Sequence, residues 1–150
     1  MGLDMYLNKR IYIGANYNHN NVKGVIELTQ GHDNEPIKIK LNKVTYIIEN
    51  VGYWRKANHI HNWFVNNVQD GNDDCGDYYV STEQLKQLLT ECEAVLTNKD
   101  KAAELLPTQS GFFYGGTDYD EYYYQDCQET ISIIKETLEQ PAEYYYRASW

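Results

Sequence analysis

The hydrophobic period of this chain changes twice along its length, and that change limits the fold more than any single motif. From residue 3 to residue 13 the apolar side chains alternate. Leu3, Met5, Leu7, Ile11 and Ile13 share one parity and Asp4, Asn8 and Arg10 the other. This is the pattern of a strand buried on one face, with a break expected near Asn8-Lys9. Short strands are expected again at 25–29 and 37–41. The parity flips after Leu41, so that Val44, Tyr46 and Ile48 become the in-register set, and a bend or bulge at Asn42-Lys43 accounts for the flip. Gly52 is expected to close the sheet run.

The period then becomes helical. A helix over 54–68 has the stripe Ala57, Ile60, Phe64, Val65 and Val68. A second begins at Ser81, where Ser81-Thr-Glu-Gln84 is a capping box, and carries Leu85, Leu88, Leu89, Cys92, Val95 and Leu96 inward. A short helix over 99–106 stops at Pro107. A third long helix begins near Asp118, with Glu121 completing a second box, and runs to Pro141 with the stripe Tyr123, Cys127, Ile131, Ile134 and Leu138. Alternation returns in "EYYYRAS", 143–149. Strands, then helices, then one more strand predict an α+β fold: an antiparallel sheet with about three helices packed on one face, the last strand placed to pair with the first. At this length a single domain, 1–150, is expected.

With 22 acidic against 13 basic residues and a net charge of −9, the chain repels polymeric nucleic acid. It contains no apolar run of the ~18–20 residues that span a bilayer. "MGLDMYL" lacks the layout of a secretion signal. Tyr6 stands where the myristoylation pattern requires Ser or Thr. Cys75, Cys92 and Cys127 form no C-x-x-C and are odd in number, which fits a reducing compartment. The expected setting is therefore the cytoplasm, without membrane contact and without a cofactor. Tyrosine is the compositional outlier at 15 residues, in clusters suited to half-buried surfaces and to stacking.

Two stretches carry candidate chemistry. In "YWRKANHIHNWFVNNVQ", 53–69, His59-Ile-His61 invites a zinc reading, but side chains two apart on a helix diverge by about 200°. His61 falls within the apolar stripe, as a buried or cleft-lining histidine, while His59 falls outside it, on the surface side near Arg55, Asn62 and Asn66. "TQSGFFYGGTDYDE" offers Gln109 and Ser110 as hydrogen-bonding groups, Tyr114 as a ring, and glycines before a helix N-terminus that Asp118, Asp120 and Glu121 already crowd. No metal is expected. The acidic turn from Asp70 to Ser81 has Cys75 and Ser81 where a calcium loop needs Gly and Glu. It reads as a solvated turn. Ser110 lies outside any G-x-S-x-G context.

"MGLDMYL", "YWRKANHIHNWFV", "LLPTQSGFFYGG" and the terminal "YRASW" resemble, over the whole chain, a family of small proteins encoded by bacteria and their phages. The resemblance implies no catalytic residue. Its phage setting implies capture of a host immune signalling nucleotide. The expected function is thus a small cytosolic binder of a polar or nucleotide-like small molecule, homo-oligomeric, with ligand contacts from Trp54, Arg55, Lys56, His59, His61, Gln109, Ser110 and Tyr114. Two alternatives stay open: a phosphodiester-type hydrolase using a helix-borne His and Arg, and a protein-interaction module with a tyrosine-rich surface.

Overall fold

The computed structural model describes residues 2–14, 17, 19, 23–29 and 36–150. The expected turn holding His32 lies outside the described residues; His19 is exposed. The elements are β1 (Asp4–Tyr12), β2 (Val25–Leu28), β3 (Ile37–Lys40), a 3-10 turn (Leu41–Lys43), β4 (Tyr46–Arg55), α1 (Asn58–Asn67), β5 (Tyr78–Val80), α2 (Thr82–Thr97), a second 3-10 turn (Lys99–Lys101), α3 (Ala102–Leu105), α4 (Glu121–Thr137) and β6 (Glu143–Ser149). The fold is α+β, with a four-stranded antiparallel sheet in the order β4-β1-β6-β5 and a separate β2–β3 ribbon. The closing strand lies beside the first, as the alternation at the two ends predicts. The chain divides into two compact units: residues 1–9 with 49–150, and residues 10–48.

In the larger unit the strand alternation sorts one sheet face into the core. Leu3, Met5, Leu7, Trp54, Val80, Tyr144, Tyr146 and Ala148 are buried, while Tyr53, Arg55, Tyr79 and Arg147 on the other parity are exposed. Ile60 and Phe64 of α1, Leu85, Leu88, Cys92 and Val95 of α2, and Tyr123, Cys127 and Ile134 of α4 complete the same hydrophobic cluster. Each fully buried Leu, Ile or Phe stabilises by about 1.5–3 kcal/mol. The Phe64 and Tyr146 rings stack at 3.8 Å, joining α1 to β6. The capping box of α2 is formed: the Gln84 N–H donates to Ser81 Oγ (3.1 Å) and the Ser81 N–H to Gln84 Oε1 (2.9 Å). Among the described residues no helix is long and apolar enough to cross a membrane.

Several boundaries differ from expectation for physical reasons. Gly52 does not close the sheet run. A Cβ there would lie 2.7 Å from Ile133 Cγ2, so glycine lets α4 approach and β4 continues through it. Trp54 is consequently a strand residue facing inward, and the helix starts at Asn58 rather than at 54. α4 is capped by Asp120, not Asp118, because the Asp120 carboxylate reaches the Tyr123 N–H (3.1 Å). β1 runs through Asn8-Lys9 without a break, although the division between the two units falls there. β5 has only three residues and takes its place by pairing with β6, Tyr79 opposite Tyr145.

The 10–48 unit holds the β2–β3 ribbon, with Ile26 opposite Ile39 and Leu28 opposite Ile37. A 3-10 turn sits where the parity flip required a bend. Val44 is half-buried, but Tyr46 and Ile48 are 49 % and 58 % exposed, so among the described residues these two are not covered by a core.

Candidate functional site

The site is built where β4 hands over to α1. Arg55 is the last strand residue. Lys56 then adopts φ 61°, the left-handed region, and its N–H donates to the Leu3 carbonyl (2.8 Å) while its carbonyl accepts from the Asn58 N–H (2.8 Å). That tight reversal places Asn58 at the first turn of α1, nearly fully buried. Its side chain ties down the 109–116 segment. Nδ2 donates to the carbonyls of Tyr114 (3.1 Å) and Gly116 (2.7 Å), and Oδ1 accepts from the Gln109 N–H (2.9 Å). Gly115, at φ 85°, passes so close that a Cβ would stand 3.3 Å from Lys56 Cβ, a second reason for glycine there.

Between this junction and α4 lies a cleft of about 310 Å³. Arg55, Lys56, Asn58 and His59 line it from one part of the chain, Thr108, Gly115 and Gly116 from the segment that Asn58 holds, and Asp118, Asp120, Tyr122, Tyr123 and Asp126 from α4 and its lead-in. The lining thus combines two cations, three carboxylates and two phenol rings. His59 is not a surface histidine, as its place off the apolar stripe predicts; it is 2 % exposed. α4 covers that side of α1 as well: the His59 ring lies 4.0 Å from the Tyr123 ring, and Nε2 is 3.7 Å from Cys127 Sγ. Burial holds its pKa down at about 3, so it is uncharged at neutral pH. Asp126 is displaced the other way. Burial, then the negative charges of Glu129 and Asp120, lift it to about 7. A carboxyl poised near neutrality in a cleft is the type of group that donates a proton to, or shares one with, a ligand.

His61 points elsewhere, into a closed network. Its Nδ1 is 2.7 Å from the Tyr146 hydroxyl and its Nε2 3.0 Å from Asp73 Oδ2. A proton on Nε2 serves Asp73 and leaves Nδ1 to accept from Tyr146. Asp73 also accepts from the Tyr114 hydroxyl (2.5 Å) and from Trp150 Nε1 (3.0 Å). Burial pushes the Asp73 pKa up, but the Tyr114, His61 and Trp150 donors outweigh it and hold the carboxyl below its ordinary value. The hydroxyl–imidazole–carboxylate order is that of a catalytic relay. Tyr146 is 0 % exposed, however, and no substrate reaches its oxygen. The network fastens the 70–77 turn to the core, so that turn is not merely solvated.

The structure therefore brings Arg55, Lys56 and His59 together in the cleft and places His61 and Tyr114 in the network. Trp54 belongs to the core, its Nε1 donating to Thr130 Oγ1 (2.8 Å). Gln109 enters through its backbone N–H, while its Oε1 is buried without a partner; Ser110 is exposed. Sequence reasoning missed Asn58, Asp73 and Asp126. Asn58 directly follows "YWRKA" and could have been read as the first helical residue; nothing local marks Asp126. Among the described residues no three His, Cys, Asp or Glu side chains assemble as a metal site. The chain matches no protein-family model, no curated protein and no solved structure.

Proposed function

We propose that the cleft between the β4–α1 junction and α4 binds a small polar ligand of nucleotide-like chemistry. Its anionic group would lie on Arg55 and Lys56, its ring against Tyr122, and its donor edge toward Asp120 and Asp126. One observation carries this reading: in a cleft of about 310 Å³, cations from one element face carboxylates and rings from another, over a nearly buried, uncharged His59. That volume lies at the small end of ligand pockets. Arginine's planar fork suits a phosphate. The excess of carboxylates disfavours a ligand with several negative charges and favours one with a single anionic group and hydrogen-bond donors. The resemblance to phage-encoded proteins supplies a setting, retention of a host signalling nucleotide.

One observation favours turnover instead. Asp126, titrating near neutrality, would be the acid of a phosphodiester hydrolase, with Arg55 steadying the anion. The test is one incubation of the protein with a panel of mononucleotides and cyclic nucleotides, followed by denaturation and mass spectrometry. Retained, intact ligand that is lost in Arg55→Ala supports binding. A consumed ligand, with consumption lost in Asp126→Asn, supports the hydrolase. No retention and no consumption across the panel refutes both.

A further inference from the structure

Tyr122 and Asp126 stand four residues apart on α4, so they share one face of the helix, one turn and about 5–6 Å apart at Cβ. Both line the cleft whose other wall carries Arg55 and Lys56. Tyr122 is 76 % exposed and offers an open ring. The three carboxylates of the cleft differ in what they already hold. Asp118 is exposed to water. Asp120 caps α4, one of its oxygens accepting from the Tyr123 N–H (3.1 Å). Asp126 is half-buried; its backbone carbonyl accepts from Thr130 Oγ1 (2.7 Å), but its carboxyl has no hydrogen-bond or ion-pair partner among the described residues. Its charged neighbours Glu129 and Asp120 only repel it. A partly buried acceptor without a donor is an unmet group, and here it opens into a cleft.

Hydrogen-bond chemistry decides what meets it. An ionised carboxylate only accepts, through two oxygens side by side. Its best partner presents two N–H groups side by side, as the arginine fork does. Among the common nucleobases guanine alone has such an edge, N1–H next to the N2 amino group. Adenine and cytosine carry one amino group beside a ring nitrogen that accepts, and uracil has one N–H between two carbonyls. Each of these three sets a lone pair against the carboxylate. A base stacked on Tyr122 brings its edge within reach of Asp126, one helical turn away. On the opposite wall Arg55 and Lys56 suit one anionic group, and the excess of carboxylates opposes a second.

Resting on the nucleotide-binding role proposed above, we infer that the cleft selects guanine. The guanine ring lies on Tyr122, its N1–H and N2–H donate to the two oxygens of Asp126, and a singly charged phosphodiester lies on Arg55 and Lys56. A site built around two such hydrogen bonds rejects a base that lacks one of them, because the buried acceptor is then left unpaired.

The test is equilibrium dialysis of the full chain against the 3′,5′-cyclic monophosphates of guanosine, inosine, adenosine, cytidine and uridine. It is run at about pH 8, where Asp126 is ionised. Guanosine is expected to bind tightest. Inosine keeps N1–H and lacks the amino group, and binds at least about tenfold more weakly. The other three bind more weakly than guanosine by at least the same factor. Asp126→Asn sets an amide N–H against the guanine donors and lowers the guanosine-to-adenosine ratio at least about tenfold. A merely structural role for Asp126 would weaken all five ligands alike, and the urea transition of the variant confirms that it folds. Five ligands bound alike, a preference for another base, or a guanosine preference that survives Asp126→Asn overturns the assignment and leaves the nucleotide-binding role standing. Binding of none of the five overturns it too; where mononucleotides are not retained either, the binding role falls with it.

Discussion

His59 and Asp126 share the cleft and are displaced in opposite directions, so the pH dependence of stability tests the geometry of the site. His59 falls from 6.5 to about 3 through burial, and Asp126 rises from 3.8 to about 7 through burial and its acidic neighbours. Each proton bound by one state and not the other tilts stability by about 1.4 kcal/mol per pH unit. Between about pH 3 and 6.5 the unfolded chain holds a proton on His59 that the native state lacks, so stability falls as pH falls. Between about pH 3.8 and 7 the native state holds a proton on Asp126 that the unfolded chain lacks, so stability rises as pH falls. In the overlap the two slopes oppose and the wild type conceals both. Single variants separate them. Measured by urea denaturation at about pH 4.5, 5.5 and 6.5, His59→Gln gains on the wild type as pH falls, by up to about 3 kcal/mol over two units. Asp126→Asn is most favoured near neutrality and loses that advantage as pH falls. Two difference curves that are flat, or that slope the same way, would refute the placement of both groups.

Asn58→Ala removes three hydrogen bonds and strands two carbonyls and an N–H, so it costs about 2–4 kcal/mol in urea. Hydrogen exchange at the Gln109 amide accelerates with it; an unchanged amide would show that Asn58 does not hold the segment. Asp73→Asn destabilises at neutral pH but not in acid. The donors around Asp73 lower its folded pKa, so the stability they add is present above the unfolded value and lost as pH falls through the folded one. Equal penalties at neutral and acid pH count against the network. Gly115→Ala forces a Cβ into φ 85° beside Lys56 and costs about 1 kcal/mol or more, read from the urea midpoint.

The elements were legible wherever one face is buried. "EYYYRAS" and "LDMYL" alternate because the sheet has one wet face, and the stripes of α2 and α4 repeat at helical spacing because each packs one side inward. Boundaries failed where a single residue serves two elements. Gly52 reads as punctuation in isolation; in the fold it is the hollow into which Ile133 fits. Trp54 fits both a strand face and a helix turn, and only its bond to Thr130, 76 residues away, decides.

The two histidines show the same limit at the site. Helical geometry already separates side chains two apart, and the structure sends His59 toward α4 and His61 toward Asp73 and Tyr146. What periodicity could not supply is that both directions are covered. A single apolar stripe predicts one buried face, but Tyr123 and Cys127 of α4 pack against His59, so a residue off the stripe is buried too. An uncharged imidazole needs little solvent, which is why position 59 tolerates a polar residue there. That substitution of protein for water on the outer side of α1 also makes the cleft. α4 covers His59 with Tyr123 and Cys127, and one turn away it leaves the gap that Arg55, Lys56 and Asp126 line. The candidate site thus follows from the side of α1 that α4 covers, while Asn66 and Asn67 at the end of the helix stay exposed.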